Sequence, residues 1–150
     1  MNPPTAAPPS QPSRIPEFGS RREQRDRLLG LIYQMDLREV SAAKIIESQG
    51  DELEPFVTER LIGIEAHRVE IDALLDEYSQ QWTVSRMPLL DRAAMRLATF
   101  ELAHCPEIPT AVVVSEAVEL VRKYSTAESQ RFVNGLLGKI AIEARPGAAQ

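Results

Sequence analysis

Arg21, Arg22 and Arg25 fall in the opening turns of a predicted helix, where three guanidinium groups are chemically out of place. The N-terminus of a helix already presents partial positive charge, so each exposed cation there costs roughly 0.3–1 kcal/mol. Glu23 and Asp26 offset this only in part. The same arrangement, unpaired backbone N–H groups ringed by arginines, is well suited to holding phosphate. Solvation, or pairing with the acidic middle of the chain, explains the arginines equally well, and the residues by themselves leave both readings open.

A second conflict with local stability lies at Phe132-Val133-Asn134-Gly135-Leu136-Leu137-Gly138. A glycine inside a helix costs about 1 kcal/mol relative to alanine, so this pair suggests a close backbone approach or an irregular helix. Val133, Leu136, Leu137 and Ile140 form the better apolar stripe. Phe132 points about 100° away from Val133 and therefore belongs at the edge of that stripe or on the surface. An exposed ring beside Arg131 and Lys123 would be a platform for an unpaired base; a ring packed into the core is the competing reading.

Other chemistry is not supported. His104 and Cys105 are neighbours in the chain, which is not the spatial pairing of a Cys–His nucleophile. His67 reads as a core or boundary histidine. One cysteine and two histidines argue against a structural zinc site, and no phosphate-binding glycine loop is present. The expectation is a binding protein, not an enzyme, with no metal and no cofactor.

The elements that position these residues read as helices. With 150 residues, the chain is long enough for one domain with a real core. Prolines crowd residues 1–19, which lack an apolar period and are expected to form a disordered tail. From residue 20 to residue 145 the apolar period is helical, and residues 146–150 are expected to be disordered. Ser20 with Glu23 forms a capping box opening a helix to about Asp36. Further helices are expected over 38–48, from an Asp51/Glu54 cap to about Tyr78, from Arg86 to Ala103, and from Pro109 through Val121. The last should open with a box at Ser125–Glu128. The fold class is thus all-α, a compact domain of two small bundles joined near Trp82. No run approaches the roughly 18 apolar residues of a membrane span, and a single cysteine fits a reducing, cytoplasmic setting.

Charge is unevenly distributed. The net is −5, but residues 36–82 carry twelve acids against four bases, while the flanking segments are slightly basic. That acidic stretch is expected to attract a basic protein partner and to repel non-specific RNA.

The ordered set of motifs resembles the NusB family. Arg21-Arg22-Glu23-Gln24-Arg25 leads into Leu31-Ile32-Tyr33-Gln34 like the family's opening RRxxR…LYQ. WTVSRMPLLDRAAMRLATFEL, from Trp82 to Leu102, is similar to its central segment. Ile108-Pro109, Ser115-Glu116-Ala117-Val118-Glu119-Leu120 and Phe132-Val133-Asn134-Gly135-Leu136-Leu137 follow in order. The likeness spans residues 20 to 142. It implies a transcription antitermination factor that binds boxA single-stranded RNA with NusE, a small-subunit ribosomal protein, and joins other Nus factors on RNA polymerase to support ribosomal RNA transcription. Carried over, the RNA-binding positions are Arg21, Arg22, Arg25, Tyr33, Phe132, Arg131 and Asn134, to which the basic setting adds Lys123. Some members form a homodimer that covers the RNA surface. The chain departs from the family pattern at Glu23, Gly30, Ala111, Ser115, Ser125 and Gly138. Two other readings are a domain like the NusB-like part of ribosomal RNA methyltransferases, for which a methyl-donor domain has no room, and a helical protein–protein adapter without RNA binding.

Overall fold

The computed structural model describes residues 19–50, 52–80 and 82–147. Most of the expected tail and the last three residues lie outside these. The described residues hold seven α-helices and no strand: α1 Arg21–Arg38, α2 Ala42–Ser48, α3 Pro55–Ala66, α4 Arg68–Ser79, α5 Leu89–His104, α6 Thr110–Tyr124 and α7 Ala127–Ala144, with a 3-10 turn at Val84–Arg86 before α5.

Helix α5 organises the whole. Eleven of its sixteen residues are buried, because alanines at 93, 94 and 98 let neighbouring helices approach while Met95, Leu97 and Leu102 fill the space between them. Helices α1 to α3 lie to one side of α5 and α6 and α7 to the other, while α4 packs on both α5 and α7, all sharing one continuous apolar core. The two small bundles therefore meet along a common helix. Ion pairs fix the directions. Asp36 near the end of α1 meets Arg92 and Arg96 near the start of α5, while Arg25 meets Glu101 near its end. Hence α1 and α5 run antiparallel. Helix α7 runs parallel to α5, since Ser129 reaches Asp91 and Arg145 reaches the carbonyls of Glu101 and Leu102.

Local signals place several boundaries correctly. Ser20 accepts from the Glu23 N–H while Glu23 returns a bond to the Ser20 N–H, completing the box at the head of α1. Pro109 sits at the N-cap of α6. Other boundaries differ from expectation. Helix α1 runs on to Arg38 and stops where Glu39 turns left-handed at φ 54°, so the second helix starts only at Ala42, capped by Ser41. The long helix expected to end near Tyr78 is two, divided at His67 (φ −108°, ψ 18°). Its Glu54 is not a side-chain cap, because the carboxylate turns to Arg27. Asp51 lies outside the described residues. Leu75 is the fully buried leucine of α4, with Leu74 half-buried beside it. Pro88 delays α5 to Leu89. At the head of α7 the cap is Thr126, which accepts from the Ser129 N–H; Ser125 ends α6 instead.

The final helix settles the glycine question. Val133, Leu136, Leu137 and Ile140 are all at most 3% exposed, and α7 continues unbroken through both glycines. A Cβ at Gly135 or Gly138 would meet nothing within 4 Å. Neither close approach nor irregularity explains them; they lie on an open face.

Candidate nucleic-acid interface

The arginines at the head of α1 point in different directions. Arg25 is 4% exposed. Its Nη2 donates to both oxygens of Glu101 at 3.0 and 2.9 Å, and Arg60 Nε donates to the same carboxylate at 2.8 Å. A carboxylate flanked by two guanidinium groups satisfies the charges in the interior, so Arg25 is a structural cation and offers nothing to a phosphate at the surface. Arg21, one turn earlier, is exposed. Its guanidinium lies 4.2 Å from the centroid of Phe56, a ring that also meets Arg60 at 3.9 Å. These residues line a cleft of about 540 Å³ with Gln24, Glu59 and Glu107.

Arg22 occupies the adjoining face of α1 and meets α6. It forms a two-point pair with Glu116, 2.7 Å at Nη2 and 3.3 Å at Nε. One turn on, Asp26 receives Lys123 Nζ at 2.7 Å and the Tyr124 hydroxyl at 3.4 Å. The bond to Asp26 holds the Lys123 ammonium above its ordinary pKa, so it stays charged at neutral pH. These cations are already paired at the surface, where solvent screens the attraction, and their carboxylate partners are the more enclosed side of each pair.

Tyr33 continues the face of Arg22 and Asp26. It is half-buried, and its hydroxyl has no hydrogen-bond partner among the described residues. Eleven residues separate it from Arg22, which is about 16 Å along the helix. Phe132 lies near the start of α5, the end of the domain to which the Tyr33 half of α1 runs. It too is half-buried, at the rim of the core. Its ring packs 5.4 Å from that of Trp82, tilted by 44°. The two rings border a cleft of about 620 Å³ with Ser79, Pro88, Thr126 and Ser129. Arg131 and Asn134 are exposed and unpaired among the described residues.

The expected site residues therefore form a path, not a cluster. Arg21 and Arg22 stand at one end, Lys123 of α6 and Tyr33 of α1 between, and Phe132 with Arg131 and Asn134 at the other. Arg25 drops out. Sequence reasoning missed Trp82, which is 40% exposed and stands fifty residues before the ring it packs on. It also missed Phe56, whose role depends on arginines from two helices.

Known proteins match this architecture and these motifs. The NusB family model matches residues 22–142. A transcription antitermination protein NusB from Myxococcus xanthus is 37% identical over 135 residues, covering 83% of this chain and 96% of the relative. The counterpart from Saccharopolyspora erythraea is 42% identical over 130 residues, with 83% and 88% covered. Among solved structures, T. maritima NusB superimposes with a TM-score of 0.76 at 33% identity, covering 85% of this chain and 94% of that one. With its helices, motif order and relatives all in agreement, this chain belongs to the NusB family.

Proposed function

We propose that this chain acts as a transcription antitermination factor in the cytoplasm, binding boxA-type single-stranded RNA together with NusE and joining the other Nus factors on RNA polymerase. One observation carries the RNA surface: a line of exposed cations, paired only at the surface, along α1 and α6 leads toward the Trp82–Phe132 rings. Arg21, Arg22 and Lys123 hold phosphates. Tyr33 and Phe132 stack unpaired bases, each worth about 1–3 kcal/mol, and Trp82 supports the Phe132 ring. Arg131 and Asn134 flank the bases. In support of this reading, no helix among the described residues is long and apolar enough to cross a membrane.

The acidic middle segment contributes less free charge than its composition suggests. Asp36, Asp72 and Glu54 are engaged by arginines, and Glu65 and Asp76 accept from the backbone at Ala42 and Val84. Attraction of basic NusE would fall to the exposed remainder, such as Glu52, Glu59 and Glu77.

Retention of the full chain on boxA RNA, measured with and without NusE, tests the proposal. Synergy between the two proteins is expected. No retention even with NusE present identifies the chain as a protein–protein adapter, and a second copy of this chain covering α1 would appear as a dimer that RNA dissociates.

A further inference from the structure

The break between α3 and α4 brings together residues that RNA binding does not use. His67 stands at the break itself, Glu70 lies three residues into α4, and His104 is the last residue of α5. His67 Nδ1 is 3.1 Å from Glu70 Oε1, and His104 Nε2 is 3.3 Å from the same oxygen. One ligand atom from each residue lies within 4.8 Å of the others. The imidazoles face each other at 3.9 Å between centroids, above the Phe100 ring.

We propose that His67, Glu70 and His104 form a binding site for a divalent transition-metal ion, with Zn²⁺ the ion the donor set fits best. Zinc takes imidazole nitrogen and carboxylate oxygen at about 2.0–2.2 Å, in a tetrahedron whose edges are therefore about 3.3 Å. The two nitrogen–oxygen separations match that edge. Two neutral imidazoles and one carboxylate favour zinc over magnesium or calcium, which prefer all-oxygen shells. The neighbouring charge does not compete: Arg68 turns to Asp72 at 3.7 Å. Cys105 is not a fourth ligand, since its sulfur lies against Arg60 in the interior. The Phe100 ring supplies an apolar floor, itself seated so closely on α3 that a Cβ at Gly63 would come within 2.4 Å of it. Three protein ligands leave a fourth position open toward solvent, because Glu70 is half-exposed and the His104 side chain 28% exposed. Coordination would tie the α3–α4 junction to the end of α5, so metal binding stabilises the folded state by mass action.

The test uses the untagged full chain, stripped with chelator and titrated with Zn²⁺ and with Co²⁺. One equivalent of Zn²⁺ is expected to bind, with an unfolding midpoint that climbs as free Zn²⁺ rises and returns on adding chelator. Co²⁺ should give the intense visible bands of tetrahedral coordination. His104→Ala and Glu70→Gln, both at accessible side chains, should abolish the saturable binding and the bands, while Cys105→Ser keeps both. Absence of saturable binding in the wild type overturns the proposal, leaving a hydrogen-bonded trio. Binding that persists unchanged in His104→Ala overturns it equally, by placing the ion elsewhere.

Discussion

One guanidinium nitrogen of Arg25 is shared between the two carboxylate oxygens of Glu101, joining α1 to α5 in the protein interior. Both side chains are at most 5% exposed, so this pair separates Arg25 from the other arginines of its motif. Removing one partner of a buried pair typically costs about 3–5 kcal/mol. Arg25→Ala should therefore lower the urea midpoint strongly, whereas Arg22→Ala, at a surface pair, should leave it almost unchanged. Equilibrium unfolding of the two variants checks the contrast.

Arg145 acts as a clasp. Its guanidinium donates five hydrogen bonds, to the carbonyls of Glu101, Leu102, Cys105 and Ile108 and to the Thr110 hydroxyl. It thereby adds a second donor to the Glu101 and Cys105 carbonyls, which already accept from the Cys105 and Ile108 N–H groups, and holds the end of α5 to the loop into α6. Arg145→Lys keeps the charge but not the planar fork. We expect a drop in stability of about 2–3 kcal/mol, the scale of hydrogen bonds to a charged group, with faster amide exchange at Cys105 and Ile108.

The helical glycines divide by what surrounds them. Gly63→Ala drives a methyl into Phe100 and should destabilise by about 1–3 kcal/mol. Gly135→Ala and Gly138→Ala enter open space within α7 and should each stabilise by about 0.4–1 kcal/mol. Thermal unfolding of the three variants reads the sign directly.

The Ser20–Glu23 box, Pro109 and the stripe through Val133 and Ile140 are local patterns, and each was legible in the sequence. The burial of Arg25 was not, because it depends on Glu101, 76 positions away. The partnership of Glu70 with His104, 34 positions apart, and that of Trp82 with Phe132 are equally non-local. Helix ends at Glu39 and His67 carry no glycine or proline to announce them. At the acidic segment, a count of charges could not say that Asp36 and Asp72 are engaged by Arg92 and Arg96 of α5.

Cys105 gives a pH prediction. Burial pushes its thiol above the ordinary value, with Arg60 opposing. A folded pKa raised above the unfolded one means that the native state holds this proton more firmly. Its contribution to stability is full below the unfolded thiol pKa and is lost as pH climbs through the folded value. Alkylation of the native protein near neutral pH should be slow, and Cys105→Ser should flatten the decline of stability on the alkaline side.

On the proposed RNA surface, cations along α1 hold the backbone while rings at its far end hold bases. Salt titration of boxA affinity in the presence of NusE separates the two roles. Arg21→Ala with Arg22→Ala should flatten the log–log slope by about 0.7 for each phosphate no longer engaged. Phe132→Ala should weaken binding by about 1–3 kcal/mol and leave the slope intact. An unchanged slope in the arginine variant, together with unchanged affinity in Phe132→Ala, would rule this surface out.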